Sequence, residues 1–147
     1  MFEIKTVHEI NASPADVWRV LIDFDAYTEW NPFVVSARRD GNRLDIIINP
    51  PDEKPQKFSP VILNIVENTE LRWVGKVGSE YLFRGEHSFE LKEIESGKTR
   101  LLHCEVFTGF LTCLVSASQR ANIQRGFELM NQALSERVKM VATFITS

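Results

Sequence analysis

Two histidines and one glutamate have the types and spacing best suited to chemistry. On the run that starts at Tyr81, the odd positions Tyr81, Phe83, Gly85, His87, Phe89 and Leu91 form the more apolar face of a strand, and the even positions Arg84, Glu86, Ser88 and Glu90 form the polar face. His87 therefore points inward. On the next run, Leu101, His103, Glu105 and Phe107 share one face, and Leu102, Cys104, Val106 and Thr108 share the other. A one-residue slip at the Ser96-Gly97 turn exchanges the two faces. A three-residue loop sets odd against odd, which places His87 opposite Glu105 and Phe89 opposite His103. An imidazole and a carboxylate then stand in one apolar pocket and can act as an acid-base pair on a carbonyl substrate. The other register turns Leu102, Cys104 and Val106 inward, leaves Glu105 in solvent, and makes His87 a hydrogen-bonded core histidine. Periodicity leaves both registers open.

Other chemistries find little support. His8, His87 and His103 include no pair at helical ligand spacing, and no adjoining cysteine or carboxylate completes a set, so no metal is expected. Gly97-Lys98-Thr99 ends like a phosphate-binding loop, but Lys92 stands where that motif needs glycine, so the segment reads as a hairpin turn. Ser13, Ser116 and Ser118 lack the glycine-flanked elbow of a nucleophilic serine. Cys104 and Cys113 read as small hydrophobes that stay reduced. No cofactor is expected.

The aromatic residues point to a guest. Trp30, Phe33, Phe58, Trp73, Phe83, Phe89, Phe107 and Phe127 exceed what an ordinary core needs and suit a flat or apolar molecule, with Met130 beside them. Asn131 interrupts the same apolar helix face next to Met130 and Leu134. It either orients a ligand carbonyl or bonds to nearby helices.

These side chains need elements to position them. Residues Phe2 to Ile10 alternate as a strand, which Asn11-Ala12-Ser13-Pro14 breaks. Ser13 suits a helix N-cap, with Pro14 at the first helical position and Asp16 completing a capping-box-like pattern, so the glycosylation triplet Asn11-Ala12-Ser13 is read as a cap. Val17, Trp18, Leu21 and Phe24 bury one side of that helix. Asp25 can cap a second short helix that stops near Trp30, because Asn31 precedes Pro32. Turn signals then divide the chain into strands at 34–40, 43–49, 57–66, 70–77, 81–94 and 99–110. After Phe110 the period becomes helical, with Leu114, Ile123, Phe127, Met130, Leu134, Val138, Val141 and Ile145 on one face of a helix of about thirty residues. Such a helix is unstable alone, and a curved seven-stranded antiparallel sheet needs its concave face covered. Packing one on the other gives an α+β helix-grip domain over 1–147, with two short helices between the first two strands and a natural cavity between sheet and helix.

This order, together with Ala12-Ser13-Pro14-Ala15-Asp16-Val17-Trp18, the stretch Asp23-Phe24-Asp25-Ala26-Tyr27-Thr28-Glu29-Trp30-Asn31-Pro32-Phe33 and the tail Arg125-Gly126-Phe127-Glu128-Leu129-Met130-Asn131-Gln132-Ala133-Leu134, resembles the START-like (SRPBCC, helix-grip) superfamily, and within it the bacterial polyketide cyclase/dehydrase-like branch. The resemblance covers nearly the whole chain. It implies a cavity for a lipid, polyketide or similar apolar molecule, with the loop 49–55 and the turn 30–33 at its rim. It also leaves two alternatives: a cyclase or dehydratase that uses His87 and Glu105, and a protein-interaction module of the co-chaperone kind.

Composition narrows the partners. A net charge of -3 over 147 residues offers no basic face for nucleic acid. No run of apolar residues is long enough to span a membrane, and the first ten residues do not read as a signal peptide, so a cytoplasmic protein, monomeric or weakly dimeric, is expected.

Overall fold

The computed structural model describes residues 1–146, and the side chains of residues 1–143. β1 (Phe2–Ile10) leads into α1 (Pro14–Leu21), where the Ser13 hydroxyl accepts the Asp16 N–H at 3.2 Å, as the cap signal predicts. A 3-10 turn (Phe24–Ala26) then runs into α2 (Tyr27–Trp30). The N-cap residue of α2 is Ala26 and no side chain caps it, so the expected Asp25 cap does not form. Asn31 leaves the helix in an extended conformation (ψ 114°), as a residue before proline must. Its Oδ1 accepts the N–H groups of Phe33 and Val34 at 3.0 and 2.9 Å, which fixes the turn that delivers Phe33 inward.

The remaining strands are β2 (Val34–Asp40), β3 (Arg43–Ile48), β4 (Gln56–Phe58), β5 (Val61–Val66), β6 (Glu70–Val77), β7 (Phe83–Glu95) and β8 (Lys98–Thr108). They form an antiparallel sheet in the order β1-β8-β7-β6-β5-β3-β2, a seven-stranded path curled around the C-terminal helix, with β4 attached to β3 alone. The single strand expected over 57–66 is broken at Ser59-Pro60, because proline has no N–H to give the ladder. The strand expected to begin at Tyr81 begins at Phe83. Tyr81 lies in the preceding turn and is 74% exposed, not inward.

The helix also begins later than its periodicity suggests. Gly109 ends β8 at φ 107°, a conformation costly to any side chain, and a Cβ there would strike the Leu82 carbonyl and the Phe83 nitrogen. A 3-10 segment (Phe110–Leu114) follows, so Leu114 is 72% exposed and not on the apolar helix face. α3 (Ala117–Thr146) starts behind a reciprocal cap that periodicity alone does not reveal: Ser116 Oγ accepts the Gln119 N–H at 3.1 Å, and Gln119 Oε1 accepts the Ser116 N–H at 2.9 Å. Phe127, Met130, Leu134 and Val138 are buried against the sheet, and Ile123 and Val141 are partly buried. The side chain of Ile145 lies outside the described residues.

Candidate functional site

The register of the β7–β8 hairpin decides the site. Glu95 pairs with Lys98 around a two-residue turn, and a bulge between Glu93 and Glu95 then takes one residue out of the ladder, so odd positions face odd positions. His87 pairs with Glu105 and Phe89 with His103. Of the two registers left open, the odd-to-odd one is present, produced by a two-residue turn and a bulge and not by a three-residue loop.

Adding β1, β6 and β5 gives three rows across the concave face. The first is Thr6, His103, Phe89, Leu71; the second is Ile4, Glu105, His87, Trp73, Ile62; the third is Phe2, Phe107, Gly85, Gly75. The first row is closed by α3. Phe127 stacks on His103 with ring centroids 4.1 Å apart, and Met130 and Leu134 are fully buried beside it. The third row carries two glycines where side chains would otherwise fill the space, and the cavity opens there.

That cavity holds about 200 Å³. Its walls include Phe33, Phe58, Trp73, Phe83, Phe107, His87 and Glu105, seven of the residues expected at the site. Trp30, Phe89, His103, Phe127, Met130 and Asn131 do not line it. Trp30 packs on Tyr27 at 5.2 Å on the far side of the turn, and the other five form the closed layer behind His87. Sequence reading missed Ile46, Ile48, Pro60, Gly75, Val115, Gln119 and Ile123 as lining residues. Gly75, a glycine inside a strand, was the available signal, since such positions mark a close approach or a gap. A Cβ on Gly85 would collide with Glu105 Oε2, so this glycine makes the slot in which the carboxylate lies.

A buried polar chain runs inward from the carboxylate. His87 Nδ1 is 3.4 Å from Glu105 Oε1, His87 Nε2 is 2.7 Å from His103 Nε2, and His103 Nδ1 is 2.7 Å from Asn131 Oδ1. The Asn131 amide donates to Thr6 Oγ1 at 2.9 Å, and the Thr6 hydroxyl donates to the His103 carbonyl at 3.0 Å. Thr6 therefore fixes which end of the Asn131 amide meets the imidazole. The amide oxygen can only accept, so His103 Nδ1 carries hydrogen. Burial, and secondarily the neighbouring His87, pushes the His103 pKa well below the ordinary histidine value, against a smaller opposing effect of Asn131. His103 is thus a neutral ring with a bare Nε2, and His87 Nε2–H must be the donor between the two rings.

In the loop 49–55, Pro50 and Glu53 line the cavity, and the loop is tied to α3 by Arg125 to Asp52 at 2.7 Å and Asn122 to Glu53 at 3.1 Å. Tyr81, Phe110 and Leu114 are well exposed, and the backbones of the β6–β7 turn and the 3-10 segment are hydrogen-bonded to each other. Among the described residues, no group of three His, Cys, Asp or Glu side chains could hold a metal ion, and no helix is long and apolar enough to cross a membrane. Cys104 is buried and Cys113 exposed, both free, so only Cys104 fits the expectation of a buried hydrophobe.

The sequence matches, over residues 1–135, the protein family described as polyketide cyclase / dehydrase and lipid transport. No curated protein matches it. Among solved structures it is similar to a START superfamily protein from Mycobacterium smegmatis, at 18% identity and a TM-score of 0.76, covering 95% of this chain and 98% of that one. A Thermus thermophilus protein is similar at 19% identity and a TM-score of 0.77, covering 95% and 99%. The ZhuI aromatase/cyclase from a Streptomyces species is similar at 10% identity and a TM-score of 0.72, covering 94% and 93%. At these identities the likeness is one of fold.

Proposed function

Because the chain belongs to the polyketide cyclase / dehydrase and lipid transport family, we propose that it binds an apolar, ring-bearing small molecule between the sheet and α3. The observation that carries this reading is the gap left by Gly75 and Gly85, walled by aromatic side chains and bounded on the sheet side by the His87–Glu105 pair. Ligand sites have this character: concave, mostly apolar, with a few placed polar groups. The part of α3 that covers the gap supplies Gln119 and Ile123, while its next turns seal the layer behind. The protein, purified without denaturation and extracted into organic solvent, should release a stoichiometric apolar compound detectable by mass spectrometry. An empty protein that also fails to take up an apolar fluorescent probe would count against the reading.

A second reading is favoured by one contact, the 3.4 Å approach of His87 Nδ1 to Glu105 Oε1 inside the cavity. In it the pair moves a proton on a bound carbonyl compound, as cyclase or dehydratase chemistry requires. His87→Ala and Glu105→Gln separate the two readings. Both variants should still take up an apolar probe, and only an enzyme would lose turnover.

A further inference from the structure

The hydrogen bonds behind the cavity determine what its polar end can recognise. Thr6 orients Asn131, Asn131 takes the His103 Nδ1 hydrogen, and the bare His103 Nε2 takes the hydrogen of His87 Nε2. His87 is then left with Nδ1 alone, 3.4 Å from Glu105 Oε1. A carboxylate can only accept, and this approach engages Oε1 and leaves Oε2 without a partner. Among the described residues no donor reaches Oε2, which lies over Gly85 in the cavity wall. His87 is 4% exposed and Glu105 17%, so the carboxylate is the more accessible of the two to a guest.

We propose that Glu105 Oε2 is a hydrogen-bond acceptor for the ligand, so that the cavity selects an apolar ring compound carrying a hydroxyl over one that carries only a carbonyl or ether. Thr6, Asn131 and His103 act as positioning residues, since they hold the proton pattern without touching the guest. The inference rests on the cavity reading above and adds the polar group the guest must bear. A hydroxyl donating to a carboxylate makes a charge-assisted bond, stronger than a neutral one. An acceptor-only compound placed with its oxygen at Glu105 would bring two acceptors together and gain no bond there.

The test compares 2-naphthol with 2-methoxynaphthalene and naphthalene at neutral pH, by calorimetry on the wild-type protein and on Glu105→Leu. The wild type should prefer 2-naphthol by about tenfold or more, and Glu105→Leu should bring that ratio near one while still binding naphthalene. A wild-type protein that binds the ether as well as the alcohol, or a Glu105→Leu protein that keeps the preference, would overturn the proposal and leave the cavity reading intact. If none of the three probes binds, the proposal fails together with the cavity reading.

Discussion

His87 and His103 meet edge to edge, their Nε2 atoms 2.7 Å apart, and only one of the two nitrogens can carry the hydrogen. The choice is made by residues distant in sequence. Asn131 lies on α3 and Thr6 on β1, and together they require His103 to donate on its other side. The polar end of the cavity is therefore specified by contacts among four elements, β1, β7, β8 and α3.

Asn131 should be intolerant of apolar replacement. Asn131→Leu preserves approximate volume but removes the acceptor for His103 Nδ1 and the donor to Thr6, leaving buried polar groups unpaired. The expected loss is about 2 kcal/mol, read as a lower denaturant midpoint at pH 7. The same experiment on Gln132→Leu, one residue along and exposed, should change stability by less than about 0.5 kcal/mol.

His103 should make stability depend on pH. Its pKa is lowered in the folded protein, so between the folded and unfolded values the unfolded chain binds more protons. Stability is then full above the unfolded histidine value of about 6.5 and falls as pH drops below it, by at most about 1.4 kcal/mol per pH unit from this one group. Urea unfolding between pH 7.5 and pH 5 would measure the slope. His103→Gln should be the less stable protein at pH 7.5 and should have a shallower slope; equal slopes would exclude His103 as the source.

Gly126 holds Phe33 in place. A Cβ on this helical residue would strike the Phe33 ring, so Gly126→Ala sets a helix-propensity gain of about 1 kcal/mol against an overpacking cost of about 1–3 kcal/mol. Phe33 also lines the cavity and meets Phe127 edge to face with ring centroids 5.3 Å apart, so a displaced ring disturbs the cavity wall. The variant should be destabilised by about 1 kcal/mol and should bind apolar probes more weakly. Unfolding and probe titration on one preparation would check both effects.

Much of the architecture was legible because its signals are local or periodic. Ser13-Pro14 starts α1, Asn31-Pro32 ends α2, and the apolar positions 127, 130, 134 and 138 run along one face of α3. The site was legible only in part. The inward face of β7 followed from alternation, but the face of β8 depended on a bulge near Ile94, and a bulge leaves no periodic trace. Aromatic type likewise did not separate walls from core. Phe83 and Phe89 sit on the same face of one strand, yet Phe83 lines the cavity and Phe89 is sealed beneath α3, because the helix covers one end of the sheet and not the other. The glycines of β6 and β7 carried more information about the cavity than the rings did.

The most direct test of the cavity is to fill it. Gly75 lines the gap, and a Cβ there would meet only Pro60 at an ordinary 3.7 Å, so Gly75→Leu should fold normally and project its side chain into the space. Titration of N-phenyl-1-naphthylamine into both proteins would follow binding by probe fluorescence. The account predicts saturable, one-to-one binding to the wild type and at least about tenfold weaker binding to a well-folded Gly75→Leu protein, the loss expected where an apolar ring can no longer be buried. Equal binding by the two proteins would contradict the claim that the ligand lies between the sheet and α3.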